Sequence, residues 1–361
     1  MFRPIHKFFL ISFIIVLMYF SNLLQISYFR IKNSSNHSKR TYIHSEEQLE
    51  LTKSVTIQPK VCSDYQPISV FIHSAANYIE RRQTLRNTWV SDLKYYKISV
   101  YFVLGLSNNR TIEEIIRTES LIYEDILQFG FIDNYYNNTL KAISILRWIN
   151  KFCRKPEFIL KTDDDVMVNT KSILKNLDQF QTGISGIKFD RPQVERDKKS
   201  KWFMPEYYYP EPNYPFYLNG PAYMMTNNIT DRLLQELDSY TGYVLDIDDM
   251  FITGIIAERA GIERHSSDYI KHYYCNDVCV MYSTAITYEC RNNQELADFY
   301  VHWKLTSIDF CQKSYNFKRF LLFSALILTI IGLTICLTIC RKRLINSMHG
   351  FSDKLNYKSL I

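Results

Sequence analysis

Phe158-Ile159-Leu160-Lys161-Thr162-Asp163-Asp164-Asp165-Val166-Met167-Val168 is an apolar run, three consecutive carboxylates, and a return to apolar alternation. Adjacent anions repel one another, so a fold that gathers them at a strand end needs a cation to neutralise them. Hard oxygen donors on one short segment suit Mn²⁺ or Mg²⁺ better than zinc. Such an ion would in turn hold a diphosphate. The chain therefore reads as an enzyme that handles a nucleotide-linked group.

Upstream of the triplet, Pro156 stops a helix predicted from Leu140 to Cys153, whose Ala142, Ile145, Leu146 and Ile149 share one face. Further back, the patterns predict strands at Ile68 to Ile72 and at Ile98 to Leu104, the second closed by Gly105. Helices are predicted around Glu80 to Trp89 and over Thr111 to Tyr123. Strands alternating with helices argue for an α/β class, with a mostly parallel, doubly wound sheet flanked by helices. In such sheets ligands bind at the carboxyl ends of strands, and the triplet falls at one.

The chain of 361 residues is 47% apolar, enough for a sizeable core. Its net charge of +6 is dispersed along the sequence, not the clustered basic face that nucleic acid requires. The 27 tyrosines and 23 phenylalanines exceed common usage, and tyrosine suits sugar and base recognition, although most of them read as core and surface. Phe8 to Leu24 and Phe320 to Cys340 are apolar stretches with basic residues at their outer ends. They are expected to be an uncleaved signal-anchor and a second membrane helix, with both termini cytoplasmic. Five Asn-x-Ser/Thr sequons, at Asn33, Asn36, Asn109, Asn137 and Asn228, agree with a luminal middle. So do Cys62, Cys153, Cys275, Cys279, Cys290 and Cys311, an even set that predicts disulfides of open pairing. Zinc on His265, His272, Cys275 and Cys279 is the weaker reading, because thiols oxidise in that compartment. The expected organisation is a tail and signal-anchor over 1–29, a polar luminal stem over 30–60 and a catalytic domain over 61–312. A membrane helix over 318–340 and a cytoplasmic tail over 341–361 complete it.

Further segments complete an ordered set. Arg81-Arg82-Gln83-Thr84-Leu85-Arg86-Asn87-Thr88-Trp89 is followed by Tyr101-Phe102-Val103-Leu104-Gly105, Tyr123-Glu124-Asp125-Ile126-Leu127 and the Asp133 to Lys141 segment. After the triplet come Lys201-Trp202, the run Tyr214 to Tyr223 containing Asn219-Gly220-Pro221, and Asp248-Asp249-Met250-Phe251-Ile252-Thr253-Gly254. Over residues 65 to 305 the chain resembles the β1,3-galactosyltransferase family, inverting hexosyltransferases of the Golgi with a GT-A-like fold. The resemblance implies transfer of galactose, or of N-acetylglucosamine or N-acetylgalactosamine, from a UDP-sugar such as UDP-galactose. The acceptor would be the 3-hydroxyl of a glycan.

The resemblance also implies roles. Asp165 would ligate Mn²⁺ (or Mg²⁺), with Asp163 on the ion or on the ribose and Asp164 toward the nucleotide sugar. A cation there stabilises the charge that develops on departing UDP. Asp249 would be the general base, because a sugar hydroxyl attacks only as its proton leaves, and Asp248 stands where the family usually has glutamate. Helix capping is the alternative role for both. Arg82 and Arg86 are expected on the diphosphate side, with Lys141. Lys161 is read as a structural partner of carboxylates. Trp202, Tyr214, Tyr217, Gly220 and Tyr223 would form the sugar-side loop, the glycine permitting close backbone approach. The family's late metal-binding histidine is replaced near Ala285 to Glu289, so Glu289 is expected to take that place, with His302 or an incomplete shell as alternatives. The rival function is a catalytically silent, membrane-bound glycan-binding protein on the same fold. A metal-dependent phosphoesterase is the third reading.

Overall fold

The computed structural model describes residues 46–333, except 63–65, 272, 276, 283, 285, 289, 318–319, 323, 326–327 and 330–331. Residues 30–45 of the expected stem, the first expected membrane segment and most of the second lie outside the described residues, as does Glu289. Residues 46–60, expected as stem, instead hold a short helix, Glu46–Leu51, and a strand of the main sheet, Val55–Ile57. Among the described residues no helix is long and apolar enough to cross a membrane. The chain forms two compact units, one of Met1–Cys275 with Thr284–Ala297, the other of Asn276–Ser283 with Asp298–Ile361. The second contains the short 3-10 helix Val278–Tyr282 and the disulfide Cys279–Cys311.

The first unit is built on an eight-stranded sheet. Its strands are β1 (Val55–Ile57), β2 (Ile68–His73), β3 (Val100–Leu106), β4 (Ile126–Ile132), β5 (Phe158–Asp163), β7 (Ile184–Phe189), β8 (Tyr217–Thr226) and β9 (Arg264–Ser266). The order across the sheet is β1-β4-β3-β2-β5-β8-β7-β9. β4, β3, β2 and β5 form a parallel block, β8 runs antiparallel to β5 and β7, and β9 is parallel to β7. A separate ribbon pairs β6 (Val166–Val168) with β10 (Ile286–Tyr288). Every residue of β2 is buried, as expected of a strand covered by helices on both faces.

The crossovers are helical. They are α1 (Glu46–Leu51), α2 (Ile79–Asn87), α3 (Trp89–Tyr95), α4 (Arg110–Tyr123), α5 (Asn138–Phe152), α6 (Thr170–Lys175), α7 (Thr230–Ser239) and α8 (Ala257–Arg259), with α9 at Asn293–Leu305. Asn109 caps α4 by accepting from the Thr111 amide. α5 buries Ala142, Ile143, Ile145, Leu146 and Ile149 against the sheet. Trp148 on the same helix packs edge-on to Phe71 of β2 and Tyr101 of β3. Trp89 is fully buried.

Several expectations change. Strand β3 continues through Gly105 to Leu106. The segment read as a sugar-side loop is largely β8, a ten-residue strand inside the sheet. Tyr223 and Tyr214 are accordingly core residues at 2% and 5% exposure. The run after Asp249 is a π-helix, Met250–Ile256, and not an ordinary helical turn. All six cysteines of the middle region pair, as Cys62–Cys153, Cys275–Cys290 and Cys279–Cys311. Cys275 and Cys279 are therefore not zinc ligands.

Candidate active site

The chain goes from β2 outward to β3 and β4 on one side, and returns to place β5 on the other side of β2. At that switch point the loops beyond adjacent strand ends part and leave a crevice. A cavity of about 580 Å³ occupies it, within the usual range for small-ligand sites. Its walls come from the carboxyl end of every strand in the parallel block. His73 to Tyr78 follow β2, Ser107 and Asn108 follow β3, Asp133 to Tyr135 follow β4, and Asp163 to Asp165 end β5. Arg81 of α2 and Lys141 of α5 close the sides.

The triplet is divided by its surroundings. Asp163 accepts from Lys161 Nζ at 2.7 Å. Asp164 is buried, with Arg81 Nη1 3.4 Å from one oxygen and, among the described residues, no hydrogen-bond partner on the other. Burial raises its pKa, against the pull of Ser74 and Arg81. Burial, then the charges of Asp163 and Asp164, push Asp165 up to about 7. Three adjacent carboxyl groups are hard oxygen donors of the kind that fit a divalent ion such as Mn²⁺ or Mg²⁺. Among the described residues no group of three potential ligands converges. Asp163 and Asp165 provide two donors, and the expected third, Glu289, is not among the described residues. His302 is exposed on α9.

A second acidic pair, Asp248 and Asp249, stands beside His73 and is not among the residues that line the cavity. Asp248 Oδ2 stands 3.6 Å from Lys161 Nζ and 3.9 Å from His73 Nδ1. Burial raises the Asp248 pKa, and Lys161 opposes the shift. Asp249 heads the π-helix, where Oδ1 accepts from the Met250 amide and Oδ2 from the Gly220 amide, both at 2.8 Å. Thr253, one turn on, donates to the Asp249 carbonyl and accepts from the Leu218 amide, tying the π-helix to β8. Burial and the Asp248 charge raise Asp249 to about 7, while the two amides and Lys161 hold it from going higher. A carboxylate with that proton affinity is suited to take a proton at neutral pH.

Lys161 joins the two acidic sets. Buried under Gly220, it donates to the Gly220 carbonyl and to Asp163, both at 2.7 Å. Burial opposes its charge, but Asp163 and Asp248 outweigh that and raise its pKa. Gly220 is thus a hinge of the site: its carbonyl faces Lys161 and its N–H faces Asp249. A Cβ on Gly220 would come 3.0 Å from Asp249 Oδ2. The close approach that requires glycine here is to a carboxylate of the protein, not to a sugar.

The expected arginines are elsewhere. Arg82, with no exposed surface, forks onto Glu119 of α4 through Nε and Nη2 at 2.8 and 2.7 Å. Arg86 forks onto Asp125 and also pairs with Glu119. Neither lines the cavity, so neither is free to hold a diphosphate. The i, i+4 spacing that joined them puts them on one face of α2, and that face turns inward to α4. Arg81, about 100° around the helix, reaches the cavity. Lys141 does line it, paired with Asp133 at 2.8 Å and donating to the Ser74 carbonyl. Trp202 is half exposed outside the cavity wall, with Lys201 Nζ 4.4 Å over its ring and 5.6 Å over that of Tyr135. Sequence reasoning missed His73, Asp133 and Tyr135. The signal available for them was position: each lies at the carboxyl end of a parallel strand or just beyond it.

A family model described as "Galactosyltransferase" matches residues 80–268. Mouse "Beta-1,3-galactosyltransferase 1" is 29% identical over 224 residues, 60% of this chain and 68% of its own, and the human protein of that name aligns equally well. Human "N-acetyllactosaminide beta-1,3-N-acetylglucosaminyltransferase 4" is 29% identical over 58% of this chain and 56% of its own. Among solved structures, the apo form of mouse xyloside xylosyltransferase 1 aligns over 63% of this chain and 98% of its own. That alignment has 13% identity and a TM-score of 0.32.

Proposed function

The chain belongs to the galactosyltransferase family, and on that premise we propose that it is an inverting β1,3-hexosyltransferase of GT-A architecture. It is a UDP-sugar-dependent hexosyltransferase. In the proposed reading the donor is UDP-galactose, or the N-acetylglucosamine or N-acetylgalactosamine equivalent, and the acceptor is a glycan 3-hydroxyl. The enzyme acts in the Golgi lumen, anchored by the segments at 8–24 and 320–340.

The observation that supports this reading best is the pairing of two acidic sets across Lys161. One lines the cavity and suits a cation and diphosphate. The other holds a carboxylate whose proton affinity is matched to neutral pH. UDP occupies the cavity, with Arg81 and Lys141 contributing positive charge toward its phosphates. Asp163 and Asp165 would hold the divalent ion, which supplies Lewis-acid stabilisation of the leaving diphosphate when bound. Asp249 accepts the proton of the acceptor hydroxyl as its oxygen attacks the anomeric carbon. The C–O bond to UDP breaks on the opposite face, and the configuration inverts. Asp248 lies beside Asp249, and the Lys161 charge pulls against the burial that raises both carboxyl groups.

The test is a transfer assay with the full chain in detergent, a panel of UDP-hexoses and defined glycan acceptors, with and without added Mn²⁺. The expected product is a β1,3-linked disaccharide unit, identified by nuclear magnetic resonance. Retained configuration, or no transfer from any UDP-hexose, would overturn the reading.

A further inference from the structure

Three of the five sequons fall among the described residues, and all three have the form Asn-x-Thr: Asn109-Arg110-Thr111, Asn137-Asn138-Thr139 and Asn228-Ile229-Thr230. The sequence signal is therefore the same at each. The environments differ sharply.

Asn228 is exposed, in the 3-10 turn Asn227–Ile229 that leads into α7, and its side chain makes no hydrogen bond to a described residue. It borders a surface depression of about 330 Å³ lined by Arg154, Glu157, Thr182 and Asp231, on a part of the surface that does not include the cavity residues. Asn109 is also exposed. It caps α4 through Oδ1, which accepts from the Thr111 amide, so its capping role does not use the amide nitrogen. Asn137 is 5% exposed, and its Nδ2 donates to the Ile132 carbonyl at 2.7 Å. The threonine is buried and donates to a carbonyl in both this sequon and that of Asn228, Thr139 to Leu245 and Thr230 to Asn227, so it is the asparagine side chain that separates them. The residue after Asn137, Asn138, lines the cavity. A sugar on Asn137 would break the Ile132 bond, force open the start of α5 and intrude on the nucleotide site.

We propose that Asn109 and Asn228 carry N-linked glycans in the folded, transfer-competent protein, and that Asn137 does not. The proposal rests on the luminal placement of the catalytic domain. The donor is a lipid diphosphate-linked oligosaccharide, and the catalyst is the oligosaccharide-transferring machinery of the secretory membrane. The amide nitrogen forms a bond to the anomeric carbon of the first sugar. The anomeric C–O bond to the lipid diphosphate breaks, its electron pair leaves with the diphosphate, and one amide proton is released. Attachment occurs before folding is complete, so the sequon at Asn137 is open to the machinery. Chains modified there cannot complete α5 and are lost from the active fraction.

The test uses the full chain made in a eukaryotic secretory host and purified as the fraction that transfers sugar. Peptide N-glycosidase digestion in ¹⁸O-water converts each occupied asparagine to labelled aspartate, read by peptide mass spectrometry. Label is expected at Asn109 and Asn228 and absent at Asn137, and Asn228→Gln should lose one glycan's mass without loss of transfer. Label at Asn137 in the active fraction would overturn the proposal. So would unlabelled Asn109 or Asn228 while Asn33 or Asn36 of the stem is labelled, an outcome that leaves the luminal placement standing. No label at any of the five would remove the luminal placement itself, and this proposal with it.

Discussion

Asp249 is the residue whose chemistry is most sharply defined by its neighbours. Its pKa of about 7 is set by burial and by Asp248, against two amide donors and Lys161. A base acts only when deprotonated, so kcat/KM should rise with pH and level off above about 7. Asp249→Asn should lower kcat by about 10²-fold or more while UDP affinity, read by calorimetry, stays unchanged. An equal loss of UDP affinity would place Asp249 in nucleotide binding instead. Gly220 makes a separate prediction at the same scale. A Cβ added there would stand 3.0 Å from Asp249 Oδ2, so Gly220→Ala must shift that carboxylate or β8 by a few tenths of an ångström. We expect kcat to fall by about tenfold or more with circular dichroism unchanged, since misplacing a reacting group by a fraction of an ångström is costly. Gly220→Ala with full activity would show that the carboxylate has room to move. The doubled acidic motif was legible in the sequence, but its Gly220 contact was not. The two residues lie 29 positions apart, and only β8 brings them together.

At the scale of elements, α2 is clamped to α4 by Arg82 and Arg86 on Glu119, and Arg86 extends the clamp to Asp125 ahead of β4. Both arginines and both carboxylates are nearly inaccessible, so removing one partner strands a buried charge. Arg82→Ala should therefore destabilise the fold by about 3–5 kcal/mol, measured by urea denaturation. Below the melting range, UDP affinity should be retained. Lost affinity with unchanged stability would return Arg82 to the diphosphate. The pattern around Glu80 to Trp89 found the helix itself, though the structure ends it at Asn87 and begins a second helix at Trp89, because local spacing governs which residues share a face. It could not tell which face met the ligand, because that depends on where α4 packs. The loop reading of Tyr214 to Tyr223 failed for a related reason: β8 is a core strand containing proline and glycine, two residues that normally mark turns. The π-helix at Met250–Ile256 has no sequence signature that periodicity detects, since its apolar run reads as ordinary helix.

At the scale of the molecule, the parallel block β4-β3-β2-β5 creates the cavity by its order alone. The Cys62–Cys153 disulfide holds the segment before β2 to the end of α5, across 91 residues of chain. Constraining so long a loop in the unfolded state contributes about 4–5 kcal/mol in the chain-entropy model. Cys62→Ser with Cys153→Ser should lower the melting temperature well beyond the effect of a surface double substitution. Equal melting temperatures for the two would mean that the bridge contributes nothing to stability.

The sequence by itself determined the alternation of strands and helices, the acidic triplet at a strand end and membership of the galactosyltransferase family. Each of these is written in neighbouring residues, where burial period and local charge are direct consequences of side-chain type. Only the tertiary structure decided that Arg81 and not Arg82 faces the cavity, that Gly220 approaches a carboxylate, and that Asn137 is sealed while Asn228 is open. Those outcomes depend on partners such as Glu119, 37 positions from Arg82, Asp249, 29 from Gly220, and Leu245, 106 from the Thr139 of the Asn137 sequon. Distance along the chain carries no record of such pairing; it exists only once the sheet has closed and chosen which faces meet.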